Sequence, residues 1–256
     1  MIWDFWSMVI IVTVCGFVME VVDAAIGMGY GTILAPVLLM LGFDPFQVVP
    51  AVLISQLVGG LLASFFHHRF ENVNFASGSE HLKLAVVLGL FSAVGAVASV
   101  FVAVNLSEFH LSLYIGLLAA VLGLVVLVTR NRRYDFSWAS MIFIGLLAAF
   151  NKGLSGGGYG PIVTAGQVMS GVGEKSAVCI TLLSEALISL SAVFTYLWAG
   201  GGVDWGLTFC LLISVSLSAP VAALMIKRTE GGKLRVLVGV ATSLLGLGTV
   251  LKAVFW

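Results

Sequence analysis

Apolar residues run in long blocks separated by short polar or glycine-rich stretches, at about 5–26, 32–42, 46–66, 83–104, 109–129, 137–154, 161–171, 176–199, 205–226 and 234–255. A bilayer's hydrocarbon core is about 30 Å thick and takes about 20 apolar residues of helix to cross. Eight blocks therefore predict spanning helices. The blocks 32–42 and 161–171 fall short, since helix rises only about 1.5 Å per residue. Each short block follows a glycine cluster, Gly27-Met28-Gly29-Tyr30-Gly31 in one case and Gly156-Gly157-Gly158-Tyr159-Gly160 in the other.

The clusters belong to an internal repeat. A shift of 129 residues carries Gly27 onto Gly156, Gly29 onto Gly158, Tyr30 onto Tyr159 and Gly31 onto Gly160 without a gap. Farther along it pairs Met40 with Met169, Gly42 with Gly171, Leu53 with Leu182 and Ser55 with Ser184. Chance would match several Leu or Val between apolar helices, but not a G-x-G-Y-G core with a serine at fixed distance. The chain thus divides into two halves, 1–129 and 130–256, each with five elements in the order long, short, long, long, long.

Composition strengthens the membrane reading and removes other classes. Of 256 residues 60% are hydrophobic and 9% charged, with a mean hydropathy of +1.14, against about 25% charged in soluble domains. Such a chain cannot clothe itself for water, so a soluble enzyme, a nucleic-acid binder and a secreted disulfide scaffold are excluded. Cys15, Cys179 and Cys210 lie singly inside apolar blocks and read as small lipid-phase side chains. No basic stretch precedes the first apolar block, which predicts a retained first helix rather than a cleaved signal peptide. Trp3, Trp6, Trp138, Trp198, Trp205 and Trp256 fall at block ends, as in an interfacial aromatic belt.

The distribution of charge orients the halves. Arg69 and Lys83 flank one connection, Arg130, Arg132 and Arg133 fill a second, and Lys227, Arg228, Lys233 and Arg235 surround a third. The stretches around Asp4, Asp44, Glu108 and Asp204 carry no Lys or Arg. The positive-inside rule places the basic loops in the cytoplasm and the acidic ones outside, with both termini external. The two halves then have opposite orientation. The expected fold is an all-α polytopic membrane protein of two inverted-topology repeats, whose glycine-broken short helices meet near the bilayer midplane.

In such transporters paired broken helices mark the substrate site, because their N-termini present N–H groups with a positive dipole end. The expected substrate contacts are therefore Gly27, Gly29, Tyr30, Gly31, Gly156, Gly157, Gly158, Tyr159 and Gly160, with Ser55, Gln56, Asn151, Lys152, Ser155 and Ser184. Glycines that only admit close helix packing are the alternative, the reading given to Gly123, Gly239 and Gly246. A potassium-filter reading of Gly-Tyr-Gly fails, because no Thr-Val precedes either triplet and the two copies are oppositely oriented. Charges within spanning blocks are costly and usually functional. Here they are Glu20, Asp23, Lys152 and Glu185. Lys152 holds the repeat position of Asp23, and Glu185 that of Gln56. The acids Glu20, Asp23 and Glu185 are candidates for proton coupling. An Asp23–Lys152 ion pair that only joins the halves is the structural alternative. His67, His68 and His81 read as solvated loop or interfacial residues, with no metal-ligand spacing.

These residues resemble the sulfite/organosulfonate exporter family TauE/SafE over essentially the whole chain. Its most specific parts are Ala25-Ile26-Gly27-Met28-Gly29-Tyr30-Gly31 and Leu154-Ser155-Gly156-Gly157-Gly158-Tyr159-Gly160. Met28 stands where members often carry another glycine. The resemblance implies a bacterial or archaeal inner-membrane carrier that exports small sulfur oxyanions by alternating access, with no cofactor or metal. Its partners would be a small anion and the lipid bilayer, not nucleic acid, and a homodimer stays open. Two other readings stand beside it. One is a carrier of another anion, a cation or a neutral metabolite, since three buried acids outweigh one lysine. The other is an intramembrane enzyme using those acids, for which no activated nucleophile is present.

Overall fold

The computed structural model describes residues 5–129, 137–226 and 231–255, with backbone alone for Phe5, Thr129 and 231–235. The described residues form ten helices and no strand: α1 Phe5–Ile26, α2 Tyr30–Leu41, α3 Pro45–Arg69, α4 Glu80–Ala103, α5 Glu108–Thr129, α6 Trp138–Ser155, α7 Tyr159–Met169, α8 Glu174–Trp198, α9 Trp205–Met225 and α10 Gly231–Phe255. Eight are long and apolar enough to cross a membrane. The protein is an all-helical polytopic membrane protein, as its apolar blocks predict.

The helix ends follow local chemistry. Asp44 starts α3 by accepting from the N–H of Phe46 at 2.7 Å, with Gln47 reaching back to the Asp44 N–H and Pro45 in the first turn. Ser79 and Asp204 cap α4 and α9 in the same way. Gly42, at φ +101°, closes α2 in the left-handed conformation. The short helices start inside the glycine clusters, at Tyr30 and Tyr159, so each cluster is a break between two helices rather than a loop.

Large apolar side chains cover the outside, and the interior holds polar and charged groups among its apolar ones. Ile10, Phe65, Leu90, Phe143, Phe194, Phe209 and Leu247 are exposed, while Glu20, Asp23, Ser55, Gln56, Lys152, Thr164, Ser184 and Glu185 are buried. With lipid tails outside, helices gain nothing by hiding Leu, and close packing through small residues takes over. Along α5 and α10, a Cβ on Gly116 would lie 3.0 Å from the Gly246 carbonyl oxygen, and one on Gly239 3.1 Å from that of Gly123. Gly60 lies as closely against the Leu182 carbonyl, joining α3 to α8.

The packed pairs have a regular order. α1 packs on α9 as α6 does on α4, α3 on α9 as α8 on α4, and α2 on α3 as α7 on α8. α3 with α8, and α5 with α10, pair each helix with its own counterpart five elements later. Exchanging the halves thus carries this set of contacts onto itself.

Loops gather at two ends. Gln47 Nε2 donates to Asp204 Oδ2 at 3.1 Å, the Phe101 and Trp198 rings meet edge to face at 5.8 Å, and Lys252 Nζ donates to the Leu39 carbonyl at 2.6 Å. These bonds collect the Asp44, Glu108 and Asp204 connections and the end of α10. At the other end Asn72, after α3, donates to the Ala223 carbonyl of α9 at 2.7 Å. Asp4, Trp3, Trp256 and the basic residues Arg130, Arg132, Arg133, Lys227 and Arg228 lie outside the described residues, as do the Lys233 and Arg235 side chains.

His67 corrects an expectation. It is not solvated but fully buried, because α3 continues to Arg69 and turns the ring inward. Its Nε2 lies 3.0 Å from the Ala24 carbonyl of α1, and its Nδ1 lies 3.1 Å from Asn72 Nδ2. A neutral imidazole meets both neighbours, donating to the carbonyl and accepting from the amide.

Candidate functional site

The two glycine breaks cross in contact. Gly27 (φ +73°) and Gly29 (φ +132°) end α1 and start α2, and Gly156 (φ +76°) and Gly158 (φ +91°) do the same for α6 and α7. Only glycine enters these left-handed conformations without steric cost. The crossing itself demands glycine for a second reason. A Cβ on Gly31 would strike the Gly156 carbonyl, and one on Gly157 would lie 2.6 Å from the Thr32 nitrogen. One on Gly160 would lie 2.7 Å from the Gly27 carbonyl oxygen. The threonines Thr32 and Thr164 tie the crossing. The Gly158 N–H donates to Thr32 Oγ1 at 3.0 Å, and Thr164 Oγ1 donates to the Gly27 carbonyl at 2.9 Å.

Several of the N–H groups expected to face a substrate already have partners within the protein. Tyr30 donates to Asp23 Oδ1 at 3.3 Å, and Gly157 to Ser155 Oγ at 3.2 Å. The Glu185 carboxylate lies beside the Gly160 N–H at the start of α7. Each short helix therefore has a carboxylate at its N-terminus, Asp23 for α2 and Glu185 for α7. The dipole favours this placement of negative charge.

Beside the crossing lies the charged cluster. Lys152 is fully buried, donates to Gln56 Oε1, and has its ammonium 3.7 Å from Glu185 Oε1. Gln56 and Glu185 occupy the same repeat position, near the middles of the 25-residue helices α3 and α8. The ammonium thus bridges the two halves where α3 and α8 pack. Asp23 is not its salt-bridge partner, so the ion pair considered between Asp23 and Lys152 is replaced by Lys152–Glu185. Asp23 is held instead by the Tyr30 N–H. Glu20, 1% exposed, lies against Gly59 and within Coulombic reach of Asp23, Glu185 and Lys152.

The tyrosines and serines of the repeat flank the cluster. The Tyr30 hydroxyl donates to Ser55 Oγ at 2.8 Å, since Ser55 spends its own proton on the Val52 carbonyl. Tyr159 is fully buried beside Ser184, and its hydroxyl has no hydrogen-bond partner. Asn151 accepts from the Tyr114 hydroxyl at 2.5 Å, which holds it against α5. Nothing in the sequence pointed to the roles of Thr32, Thr164 and Tyr114. Neither threonine is matched in the other half, where Pro161 and Ala35 stand, so the repeat gave no signal for them.

Comparison with known proteins agrees with this architecture. No solved structure matches the chain. The probable membrane transporter protein YtnM of Bacillus subtilis is 25% identical over 236 residues, covering 88% of this chain and 76% of YtnM. The model of the family described as "Sulfite exporter TauE/SafE" matches residues 12–249. With nearly every helix inside that match, the chain belongs to the TauE/SafE family of membrane transporters.

Proposed function

We propose that the protein is a secondary transporter that exports a small sulfur oxyanion, sulfite or a short organosulfonate, across a bacterial inner membrane by alternating access. The observation that carries this reading is the buried Lys152 ammonium, set between Gln56 and Glu185 at the crossing of the two breaks. Among the described residues it is the one buried lysine or arginine, and a buried charge at such depth marks a substrate or ion path. Gln56, Ser55, Ser184 and Tyr159 supply neutral hydrogen-bonding groups around it. The crossed glycines allow α2 and α7 to shift against each other without side chains in the way, which opens the cluster first to one side and then to the other. The basic residues at Arg69 and Lys83 put the Asn72 end in the cytoplasm, and the halves are then inverted repeats.

A second reading is a carrier of a cation or a neutral solute, favoured by three buried carboxylates against one ammonium. Purified protein in liposomes separates the two. The anion reading expects saturable uptake of labelled sulfite or methanesulfonate, each competing with the other and both lost in Lys152→Ala. Accumulation of a cation or neutral solute, without flux of either anion, would overturn it.

A further inference from the structure

We propose that the transporter carries one proton with each monovalent anion, and that Glu185 is the group that holds it. This rests on the anion reading of the same site and concerns its charge balance. The Lys152 ammonium has one carboxylate in salt-bridge contact, Glu185 at 3.7 Å, and donates to Gln56 Oε1. The facing elements add only negative or neutral groups. They are Glu20 and Asp23 from α1, Tyr30 from α2, Gln56 from α3 and Tyr159 from α7. No second buried lysine or arginine lies among the described residues.

An incoming anion that takes the ammonium displaces Glu185 from it. The displaced carboxylate then has no cation, in a place with 4% exposure for the residue as a whole. An uncompensated buried carboxylate is strongly unfavourable and is relieved by taking up a proton. The step balances: the anion replaces the carboxylate at Lys152, one proton from water adds to Glu185, and the net charge of the occupied site equals that of the empty one. On release the proton leaves Glu185 and the Lys152–Glu185 pair closes again. Protonation also removes the attraction between the Glu185 carboxylate and the positive N-terminal end of α7, beside which it lies at Gly160. Anion binding is thereby connected to the short helix that must move. Flux coupled in this way is electroneutral, and its net direction follows the larger of the anion and proton gradients. Export therefore proceeds when the anion accumulates inside beyond what the pH gradient opposes.

The test uses methanesulfonate, which stays a monoanion throughout the working pH range, so that any proton moved belongs to the protein. Liposomes holding the transporter and a trapped pH dye receive an inward methanesulfonate gradient. The expected result is lumenal acidification with a proton-to-anion ratio near one, and a flux unchanged by an imposed valinomycin–potassium potential. Glu185→Gln is expected to lose the acidification and the response to a pH gradient. Methanesulfonate flux that follows the potential, with no proton movement in the wild type, overturns the inference and leaves the anion reading standing. Absence of both methanesulfonate and sulfite flux overturns both, and where sulfite alone moves, a flux that follows the imposed potential overturns the inference. The wild-type measurement decides the matter even where Glu185→Gln fails to fold.

Discussion

At Lys152 the nearest carboxylate decides what a substitution does. Its partner is Glu185, so Lys152→Ala leaves that carboxylate buried without a cation, a loss of about 3–5 kcal/mol for broken buried pairs. The single variant is expected to melt lower in detergent. Lys152→Ala combined with Glu185→Gln removes both charges and is expected to recover much of that stability without recovering transport. Recovery of both would reduce the pair to a structural brace. Gly31 answers to backbone rather than charge. Its Cβ would meet the Gly156 carbonyl, and overpacking of this kind costs about 1–3 kcal/mol. Gly31→Ala is expected to lower thermal stability and abolish flux. Gly42→Ala, where nothing lies within 4 Å, is strained only by its positive φ, by about 1–2 kcal/mol, and is expected to keep flux. Equal flux in the two variants would mean that the breaks need not touch.

At the scale of elements, the breaks at α1–α2 and α6–α7 join two short helices to long ones through glycine. The 129-residue spacing made that arrangement readable, because cluster, short block and following helix recur in order. What holds the breaks together was not readable. Thr32 and Thr164 are unmatched in the opposite half, and their roles depend on which backbone lies across from them. His67 belongs with them. It links α1 at Ala24 to Asn72, which in turn holds α9 at Ala223. Asn72→Ala removes the amide from both bonds, leaving a buried acceptor unpaired at about 1–3 kcal/mol. Hydrogen exchange in the 70–79 segment is expected to speed up in this variant relative to the Asp44 connection. Unchanged exchange would show that the bonds contribute nothing to closing this end.

For the whole molecule, the Asp44, Glu108 and Asp204 connections group at one end, opposite Asn72. Sidedness is a separate matter with a direct measurement. On a background lacking Cys15, Cys179 and Cys210, Ser107→Cys is expected to react with an impermeant maleimide on intact cells. Ser77→Cys is expected to react only after permeabilisation, both positions being exposed. Labelling of Ser77→Cys in intact cells would reverse the orientation. Labelling of both or neither would remove the inverted-repeat topology.

The amino-acid sequence alone determined the solvent, the number and order of helices, and the positions of both breaks. Each of these follows from local quantities: block length against bilayer thickness, glycine where φ must be positive, and a self-alignment that needs no third dimension. The tertiary structure decided which groups meet. Lys152 turned to Glu185 rather than Asp23, the carboxylates of Asp23 and Glu185 occupied the N-termini expected to be free, and His67 was drawn inside. Those outcomes depend on the rotation of each helix about its axis and on which carbonyls lie within 3 Å across the crossing. Small residues allow several such rotations, and only the simultaneous packing of all the helices selects one of them.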